Sequence, residues 1–345
     1  AVTLTMPDGP VYVSTDEGWN WVEGPDDVWT MALVDGADNY GTLTFDASDP
    51  DAVKVSLDIP DGVTIYDPMN DGDVASIVFG YSAIVEGSED ATVTINVNGT
   101  NDGPVAGDDI VITNVLGDIF VPEYAMLAND TDIDDDDDVL FIESVSQVDN
   151  EVELGVDYVR YDVTGDGSYE YDVSDGSATD TAEVSVSYTE GRELNYLKVL
   201  DEDENEVDAG YNEIFIGGEE ADTIDGGGGD DTIIGGGGND LINIEEGADT
   251  LHYMDVGDGE DNIFGFDEAE DVINLDALFD ELGVGTPDER AAMINLDVSG
   301  GDTVITIDGQ DDFSITLKNV NDLGTHDGLT AAEAALKGIV VSDES

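Results

Sequence analysis

Alternating apolar and polar residues recur in short stretches through residues 1–190, separated by turn-forming pairs such as Asp-Gly and Pro-Asp. Valine, isoleucine, threonine and tyrosine dominate these stretches, and a period of two places the apolar side chains on one face of a strand. Clear examples are residues 41–45, 53–57, 92–97 and 182–188. Strands at this spacing predict β-sandwiches, and the length fits two of about a hundred residues each.

Between Gly217 and His252 the period changes to nine residues, and the units read GGEEADTID, GGGGDDTII, GGGGNDLIN and IEEGADTLH. The sixth position is always aspartate, and these residues are Asp222, Asp231, Asp240 and Asp249. The eighth position is always aliphatic, and these residues are Ile224, Ile233, Ile242 and Leu251. A flexible glycine-rich linker is the alternative interpretation, but a linker has no reason to hold this phase through four units. The pattern predicts short strands with the aliphatic residue inward, joined by tight glycine turns.

The same units carry the chemistry of a calcium site. Calcium takes six to eight oxygen ligands in flexible geometry, and a glycine turn followed by aspartate offers both carbonyl and carboxylate oxygens. The candidate ligands are therefore the four sixth-position aspartates, together with the turn residues Gly227, Gly229, Gly236 and Gly238. Asp261 and Asp271 keep the aspartate-x-aliphatic pattern without paired glycines, and we assign no ion to them. Several bound Ca²⁺ ions are expected.

The second and third units match G-G-x-G-x-D-x-U-x at every defined position, and so resemble the nonapeptide of the RTX family of exported bacterial proteins. The resemblance implies a parallel β-roll in which two units make one turn. Asp222 would then stack with Asp240, and Asp231 with Asp249. It also implies calcium binding and passage through a type I secretion exporter.

The residues after the repeats resemble the closing region of type I secretion substrates, with a small α+β cap. Thr286 as N-cap and Pro287 at the first helical position predict a helix to about residue 294. Residues 303–307 and 313–317 predict a hairpin, and residues 330–336 predict a further short helix.

Before the repeats, residues 91–106 end one strand, cross an Asn-Asp-Gly-Pro hinge and begin a new domain. This segment resembles the end of VCBS repeats, and the next domain resembles bacterial cadherin-like repeats through residues 107–109, 127–132 and 173–180. The resemblance covers residues 80–188 and implies joints stiffened by calcium. Candidate ligands there are Asn101, Asp102, Asp108, Asp109, Asn129, Asp130, Asp132, Asp134 and Asp136. A solvated acidic loop is the alternative.

The chain has 85 acidic and 7 basic residues, a formal charge of −78, so it depends on cations and a salty environment to limit repulsion. Nucleic acid and anionic membranes are excluded as partners by this charge.

There is no cysteine, and no window is long and apolar enough for a membrane-spanning helix. The first residues lack both a signal peptide and an initiator methionine, so we expect a piece of a longer protein.

Catalytic motifs are scarce, and we expect no enzyme: His252 and His326 lie in no zinc or nucleophile motif. All three tryptophans, Trp19, Trp21 and Trp29, lie close together among acidic residues. Exposed tryptophans beside carboxylates could stack on sugar rings and bind their hydroxyls, but we favour the interpretation that they complete the core of the first sandwich.

The predicted fold is all-β, with tandem Ig/cadherin-like β-sandwiches followed by a parallel β-roll and a small α+β cap. The predicted domains are residues 1–103, 104–190, 191–275 and 276–345. The predicted function is a monomeric, secreted or cell-surface adhesin segment from a marine or halophilic bacterium, with calcium, the exporter and a surface glycan or protein as partners. The alternatives are a glycan-binding module using the tryptophans, and the non-catalytic tail of a secreted RTX enzyme.

Overall fold

A computed structural model describes residues 2–6, 9–14, 22–23, 28–35, 38–46, 48, 54–59, 66, 69, 73–81, 91–134, 140–200, 206–321, 323–335 and 337–341. The chain divides into two compact units. The first comprises Ala1–Val105, Thr131–Leu140 and Ser174–Thr179, and the second comprises the rest. Strands far outnumber helices, which confirms the predicted all-β class. Within the described ranges, no helix has the length and apolar character needed to cross a bilayer.

The first unit contains two four-stranded antiparallel sheets, in the orders β2-β1-β7-β8 and β3-β4-β5-β6. Their strands are β1 (Val2–Met6), β2 (Gly9–Ser14), β3 (Val22–Glu23), β4 (Val28–Asp35), β5 (Asp38–Asp46), β6 (Lys54–Asp58), β7 (Val74–Tyr81) and β8 (Ala91–Asn98). Leu33 and Leu43 of one sheet share a buried cluster with Ala75 and Ile77 of the other. Apolar residues at alternate strand positions therefore pack two sheets face to face, as the sequence pattern predicts.

The second unit begins with what we call the second sandwich. Its elements are β9 (Asp109–Thr113), β10 (Gly117–Pro122), α1 (Glu123–Leu127), β11 (Phe141–Gln147), β12 (Val152–Leu154), β13 (Tyr158–Val163), β14 (Gly167–Ser174) and β15 (Thr179–Tyr188). One sheet has the order β10-β13-β12, and the other runs β11-β14-β15-β9. The buried aromatic residues Tyr161, Tyr169 and Tyr171 lie between them on alternate positions of β13 and β14.

The roll follows, with β16 (Glu193–Asn195), β17 (Lys198–Leu200), β18 (Glu206–Asp208), β19 (Glu213–Ile216), β20 (Thr223–Asp225), β21 (Thr232–Ile234), β22 (Leu241–Asn243), β23 (Thr250–His252), β24 (Glu260–Phe264) and β25 (Val272–Asn274). Strands that are two units apart pair in parallel, giving β19-β21-β23-β25 on one side and β16-β20-β22-β24 on the other. The predicted inward residues Ile224, Ile233, Ile242 and Leu251 are all buried in one core. The predicted parallel roll is therefore confirmed.

The second sandwich and the roll share a sheet through β9. This strand pairs in parallel with β15 on one side and with β19 on the other. The result is a nine-stranded sheet that ends at β30 (Ile339–Val340). Residues that the sequence assigns to two domains, 104–190 and 191–275, thus contribute to one continuous sheet.

The cap closes both sides of the roll. Its elements are α2 (Asp276–Glu281), α3 (Pro287–Ala291), β26 (Ile294–Ser299), β27 (Asp302–Ile307), β28 (Ser314–Leu317), β29 (His326–Asp327), α4 (Ala331–Ala335) and β30 (Ile339–Val340). β28 pairs with β24 and β30 with β25, so each sheet of the roll continues into the cap. Thr286 caps α3 by accepting a hydrogen bond from the N–H of Glu289 at 3.3 Å, as predicted. The helix ends earlier than predicted because Ile294 is buried at the start of β26, opposite Ile307.

Candidate metal centre

The four sixth-position aspartates of the repeats directly precede the roll strands β20 to β23. Because alternate units pair in parallel, residues that are 18 positions apart stack above one another. All four side chains are buried, with exposures between 1% and 4%. Burial of a carboxylate without a compensating charge is costly, so this stack requires an explanation beyond packing.

The stack consists of two columns. The first column holds Asp222, Asp240 and Asp261. The second column holds Glu213, Asp231, Asp249 and Asp271. The predicted stacking of Asp222 with Asp240, and of Asp231 with Asp249, is confirmed.

Within a column, each carboxylate after the first accepts a hydrogen bond from the backbone of the column residue one turn earlier. The N–H of Asp222 donates to Oδ1 of Asp240 at 2.8 Å, and the N–H of Asp240 donates to Oδ1 of Asp261 at 2.8 Å. In the second column the N–H of Glu213 donates to Oδ1 of Asp231 at 2.8 Å. These hydrogen bonds orient one oxygen of each carboxylate and leave the other available.

The second oxygen of most of these groups is buried and accepts no hydrogen bond. This holds for Oδ2 of Asp231, Asp240, Asp249 and Asp261, and for Oε2 of Glu213. Buried polar atoms in native proteins are nearly always satisfied, so a repeated orphan oxygen indicates a missing partner. A hard divalent cation is a partner of the right chemistry, since it takes oxygen ligands and balances the charge.

Burial raises the pKa of these carboxyl groups. The pKa of Asp231 rises to about 9 and that of Asp240 to about 8, chiefly because desolvation penalises the charged form. The pKa values of Asp249, Asp261 and Glu213 rise to about 7 for the same reason. Without a cation, the columns favour protonated carboxyls; a bound cation would favour the charged form instead.

The glycine turns lie against the orphan oxygens. A β-carbon on Gly235 would lie 2.5 Å from Oδ2 of Asp240, and one on Gly226 would lie 2.8 Å from Oδ2 of Asp231. The predicted turn residues Gly227, Gly229, Gly236 and Gly238 all have positive φ, from 80° to 123°. Glycine is therefore required at the first turn positions, Gly226 and Gly235, because the backbone lies close to the carboxylate. It is favoured at the four positions with positive φ because it adopts the left-handed conformation without strain.

Among the residues that the structure describes, no three acidic or histidine side chains converge on one point. One carboxylate per rung is therefore too few ligands for calcium, which takes six to eight. The turn carbonyl groups are the remaining oxygen donors beside each carboxylate. The donor set thus fits calcium only if backbone and side chain act together.

Three column residues were not assigned from the sequence. Glu213 lies nine residues before Asp222, so the repeat phase itself indicates it. Asp261 and Asp271 follow their column partners by 21 and 22 residues instead of 18, because insertions lengthen the intervening turns. The hydrogen-bond pattern continues through both despite the missing glycines.

The predicted hinge ligands fall into two clusters. In the second unit, Oδ1 of Asp130 accepts the N–H of Gly107 at 2.7 Å, and Nδ2 of Asn129 donates to the carbonyl of Asp108 at 3.1 Å. Asp109 is buried, and this raises its pKa to about 8, with Oδ2 accepting no hydrogen bond. The hydroxyl of Tyr171, which sequence reasoning missed, donates within the same cluster to Asp130.

The other cluster lies in the first unit. Nδ2 of Asn101 donates to Oδ2 of Asp175 at 2.9 Å, and the N–H of Asp102 donates to Asp134. Oδ2 of Asp132 is buried and accepts no hydrogen bond. Asp175 was missed as a candidate, although it lies in the segment 173–180 that resembles the cadherin-like repeats. Asp136 lies outside the described residues.

The tryptophan cluster stays a prediction. Trp19 and Trp21 lie outside the described residues. Trp29 belongs to β4, where its backbone is opposite Phe45, and its side chain is not described.

His252 is buried in β23 and contacts Tyr124 of the second sandwich. Its Nδ1 lies 3.0 Å from the hydroxyl of Tyr124. Burial lowers the pKa of His252 to about 4, so the ring is neutral at physiological pH.

Comparisons with known proteins match both regions. The RTX calcium-binding nonapeptide repeat, in four copies, matches residues 209–242 and 216–251. A bacterial Ig domain matches residues 101–187, which span the second sandwich. No curated protein matches the chain.

Some solved structures share local similarity. Two solution structures of subunits from the Azotobacter vinelandii mannuronan C5-epimerase are each 24% identical. One covers 45% of this chain and 82% of its own at a TM-score of 0.26, and the other covers 44% and 89% at 0.29. An endo-fucoidan hydrolase from glycoside hydrolase family 107 is 18% identical, covering 48% of this chain and 24% of its own at a TM-score of 0.19.

The family matches and the geometry of the roll agree. Nonapeptides of the calcium-binding type form the parallel strands, and their aspartates form the buried columns. The bacterial Ig domain supplies the sandwich whose sheet continues into the roll. The chain therefore contains RTX calcium-binding nonapeptide repeats and a bacterial Ig domain, and its repeats bind several Ca²⁺ ions.

Proposed function

We propose that this chain is a calcium-dependent extracellular segment of an adhesin, in which ion binding folds the roll and stiffens the modules before it. The observation that carries the proposal is the series of buried carboxylates, most of which have an oxygen that accepts no hydrogen bond. Such a structure is unfavourable without a cation and favourable with one. Folding of the roll and binding of the ion are therefore coupled.

The proposed ligands are Oδ2 of Asp231, Asp240 and Asp249, the carboxylate of Asp222, and the carbonyl oxygens of the neighbouring glycine turns. An ion that binds only the folded chain stabilises it by about 2.7 kcal/mol per site at a concentration one hundred times the Kd. A typical domain is stable by about 5–15 kcal/mol. Two or three such sites therefore contribute a free energy of the same size, and their occupation decides whether the roll folds.

This dependence suits export through a type I secretion exporter. At low intracellular calcium the carboxylates repel, and a chain with a formal charge of −78 stays extended. Outside the cell, calcium at the millimolar concentrations that weak extracellular sites require drives the roll to fold. Folding after passage then prevents return through the exporter.

The residues before the roll would act as an extension arm. Residues 1–103 and 104–190 are the proposed sandwich domains. Ions at the hinge clusters, one around Asn101 and Asp102 and one around Asp109 and Asp130, would restrict bending. The segment itself is proposed to be non-catalytic and monomeric, and to present an adhesion surface toward a glycan or protein.

Titration calorimetry of the purified chain with calcium, combined with circular dichroism, tests this proposal. We expect several bound ions and a large gain of β signal on calcium addition. Magnesium is the control, because it demands a smaller, near-octahedral oxygen cage and retains its water. A chain that showed the same β signal and the same protease resistance around Asp231 with and without calcium would contradict the proposal.

A further inference from the structure

Asn114 follows β9, the strand that the second sandwich shares with the roll. Thr113 lies opposite Ile216 in the pairing of β9 with β19, and its Oγ1 donates to the carbonyl of Ile216 at 2.7 Å. Asn114 is therefore next in register beside Gly217, the first glycine of the first nonapeptide. β9 pairs with β19 in the position that an earlier roll strand would occupy. Asn114 occupies the position of the first turn residue that would follow such a strand.

The amide nitrogen of Asn114 replaces a backbone donor of the first column. Further along this column, Oδ1 of Asp240 accepts the N–H of Asp222, one turn earlier. Asp222 has no nonapeptide before it on its own side, and its Oδ1 instead accepts a hydrogen bond from Nδ2 of Asn114 at 2.9 Å. The second hydrogen of the same amide goes to the carbonyl of Gly191 at 3.0 Å. Both groups facing this atom, Oδ1 of Asp222 and the carbonyl of Gly191, are acceptors, so the atom is the amide nitrogen of Asn114. The amide oxygen Oδ1 therefore faces the opposite way.

The amide oxygen of Asn114 is buried and accepts no hydrogen bond. It faces the turn at Gly218, where an added β-carbon would lie 3.4 Å from Oδ1 of Asn114. One turn later, a β-carbon on Gly236 would meet the carbonyl oxygens of Gly217, at 2.7 Å, and Gly218. The side-chain oxygen of Asn114 thus faces the first turn as the backbone oxygens of the first turn face the second.

We infer that Asn114 is a calcium ligand, supplied by the second sandwich to the first ion site of the first column. The inference rests on the proposed function, since it requires that the glycine turns bind calcium. Amide side-chain oxygens are ordinary calcium ligands. The ion at this position would then be bound jointly by the sandwich and the roll.

Asparagine suits this position better than any charged residue. One end must donate to Asp222 and the other must offer an oxygen to the cation, and an amide does both. An aspartate at residue 114 could supply the oxygen but could not donate to Asp222. Its charge would repel that of Asp222 until an ion bound between them.

Two variants separate a ligand from a structural residue. In the full chain, Asn114→Ala is expected to bind one calcium ion fewer in titration calorimetry, with the remaining ions bound at wild-type affinity. Asn114→Asp is expected to keep the full number of ions, but to need a higher calcium concentration than wild type before the β signal rises. Asn195→Ala, at an exposed position of β16, is the matched control and is expected to change neither quantity.

The inference is overturned if Asn114→Ala binds the wild-type number of ions at wild-type affinity. It is also overturned if Asn114→Asp loses an ion as alanine does, since the carboxylate retains a ligand oxygen. This second criterion applies even if the alanine variant fails to fold. Failure of the proposed function would look different, because the wild-type chain itself would then bind no calcium.

Discussion

The backbone N–H of Asp231 donates a hydrogen bond of 2.9 Å to Oδ1 of Asp249, one turn further along the roll. This relationship uses one carboxylate oxygen for alignment and leaves Oδ2 of Asp249 buried without a hydrogen-bond donor. The same hydrogen bond recurs along both columns. One carboxylate oxygen therefore aligns neighbouring turns of the roll, and we propose that the other binds the cation.

Asp240→Asn tests this division. The new amide can still accept the N–H of Asp222 through Oδ1, but it presents no charged oxygen to the turn. We expect calcium affinity at this site to fall at least tenfold, which is about 1.4 kcal/mol. We also expect the calcium-free chain to become more stable, because an uncompensated buried carboxylate is removed. Calorimetry and thermal melts measure both effects.

Glu260→Gln is the control for that experiment, because Glu260 is an exposed position of β24 and carries the same charge. It is expected to leave affinity and melting temperature unchanged. Equal affinities in the Asp240→Asn variant and the wild type would exclude the carboxylate as a ligand.

The calcium-free chain should gain stability in acid. Burial raises the pKa of Asp231 from 3.8 to about 9 and that of Asp240 to about 8. The folded chain therefore binds protons more tightly than the unfolded chain, and this stabilisation is complete below the unfolded pKa of 3.8. It is lost as the pH rises through the folded values. Circular dichroism of the chain in the presence of a calcium chelator, recorded between pH 3.8 and about 9, measures how its stability changes with pH.

High salt separates this effect from general repulsion, because salt screens exposed charges far more than buried ones. The slope should persist in high salt, and a calcium-free fold that is most stable at high pH would be incompatible with buried, protonated carboxyls. With calcium present the slope should reverse, because protons then compete with the ion for the same oxygens.

Arg290 holds the cap together. Its guanidinium donates to the carbonyl of Val284 at 2.7 Å and to that of Val341 at 2.9 Å, and it pairs with Asp276 and Asp280. Arg290→Ala leaves the two carbonyl groups and Asp276 without this donor, and we expect a loss of about 3 kcal/mol in the free energy of unfolding. Denaturant unfolding at saturating calcium measures it.

Arg160 provides the comparison, since it pairs with Asp118 and Glu153 on a more exposed surface of the second sandwich. Arg160→Ala is expected to cost less than about 1 kcal/mol. If the two substitutions had similar effects, the burial of Arg290 would not be what makes it important.

Gly236→Ala and Gly300→Ala differ in their surroundings but not in backbone conformation. Both glycines have positive φ, 80° and 69°. An added β-carbon at Gly300 has nothing within 4 Å, so that variant should lose only the roughly 1–2 kcal/mol of the left-handed conformation. At Gly236 the β-carbon would lie 2.7 Å from the carbonyl oxygen of Gly217. We expect a larger loss of stability there and weaker calcium binding, whereas equal losses would show that the turn has room to adjust.

The repeat phase identifies most column residues, because a period of nine fixes both the inward aliphatic residue and the aspartate two places before it. The RTX resemblance adds that two units make one turn, which pairs Asp222 with Asp240. Glu213 lies in the same phase, but the change from aspartate to glutamate and the loss of glycines conceal it. Asp261 and Asp271 are concealed by insertions, since a longer turn shifts the phase without altering the pairing.

The shared sheet is harder to predict. β9 is apolar on both faces, with Val111 and Ile112 buried, which indicates neighbours on both sides without identifying them. A weaker signal lies in the ninth position of the units, where Ile216 and Ile234 alternate with Asp225 and Asn243. That alternation indicates that one outer face of the roll is covered. The partner strand is set by long-range pairing, which local sequence does not encode.

The strand β9 limits how such proteins can be rearranged by recombination. A module joined by a linker can be exchanged between genes as an independent cassette. Here a cut between the second sandwich and the roll would leave the edge of β19 unpaired and Asp222 without the amide of Asn114. The unit that keeps these contacts is the sandwich together with its roll.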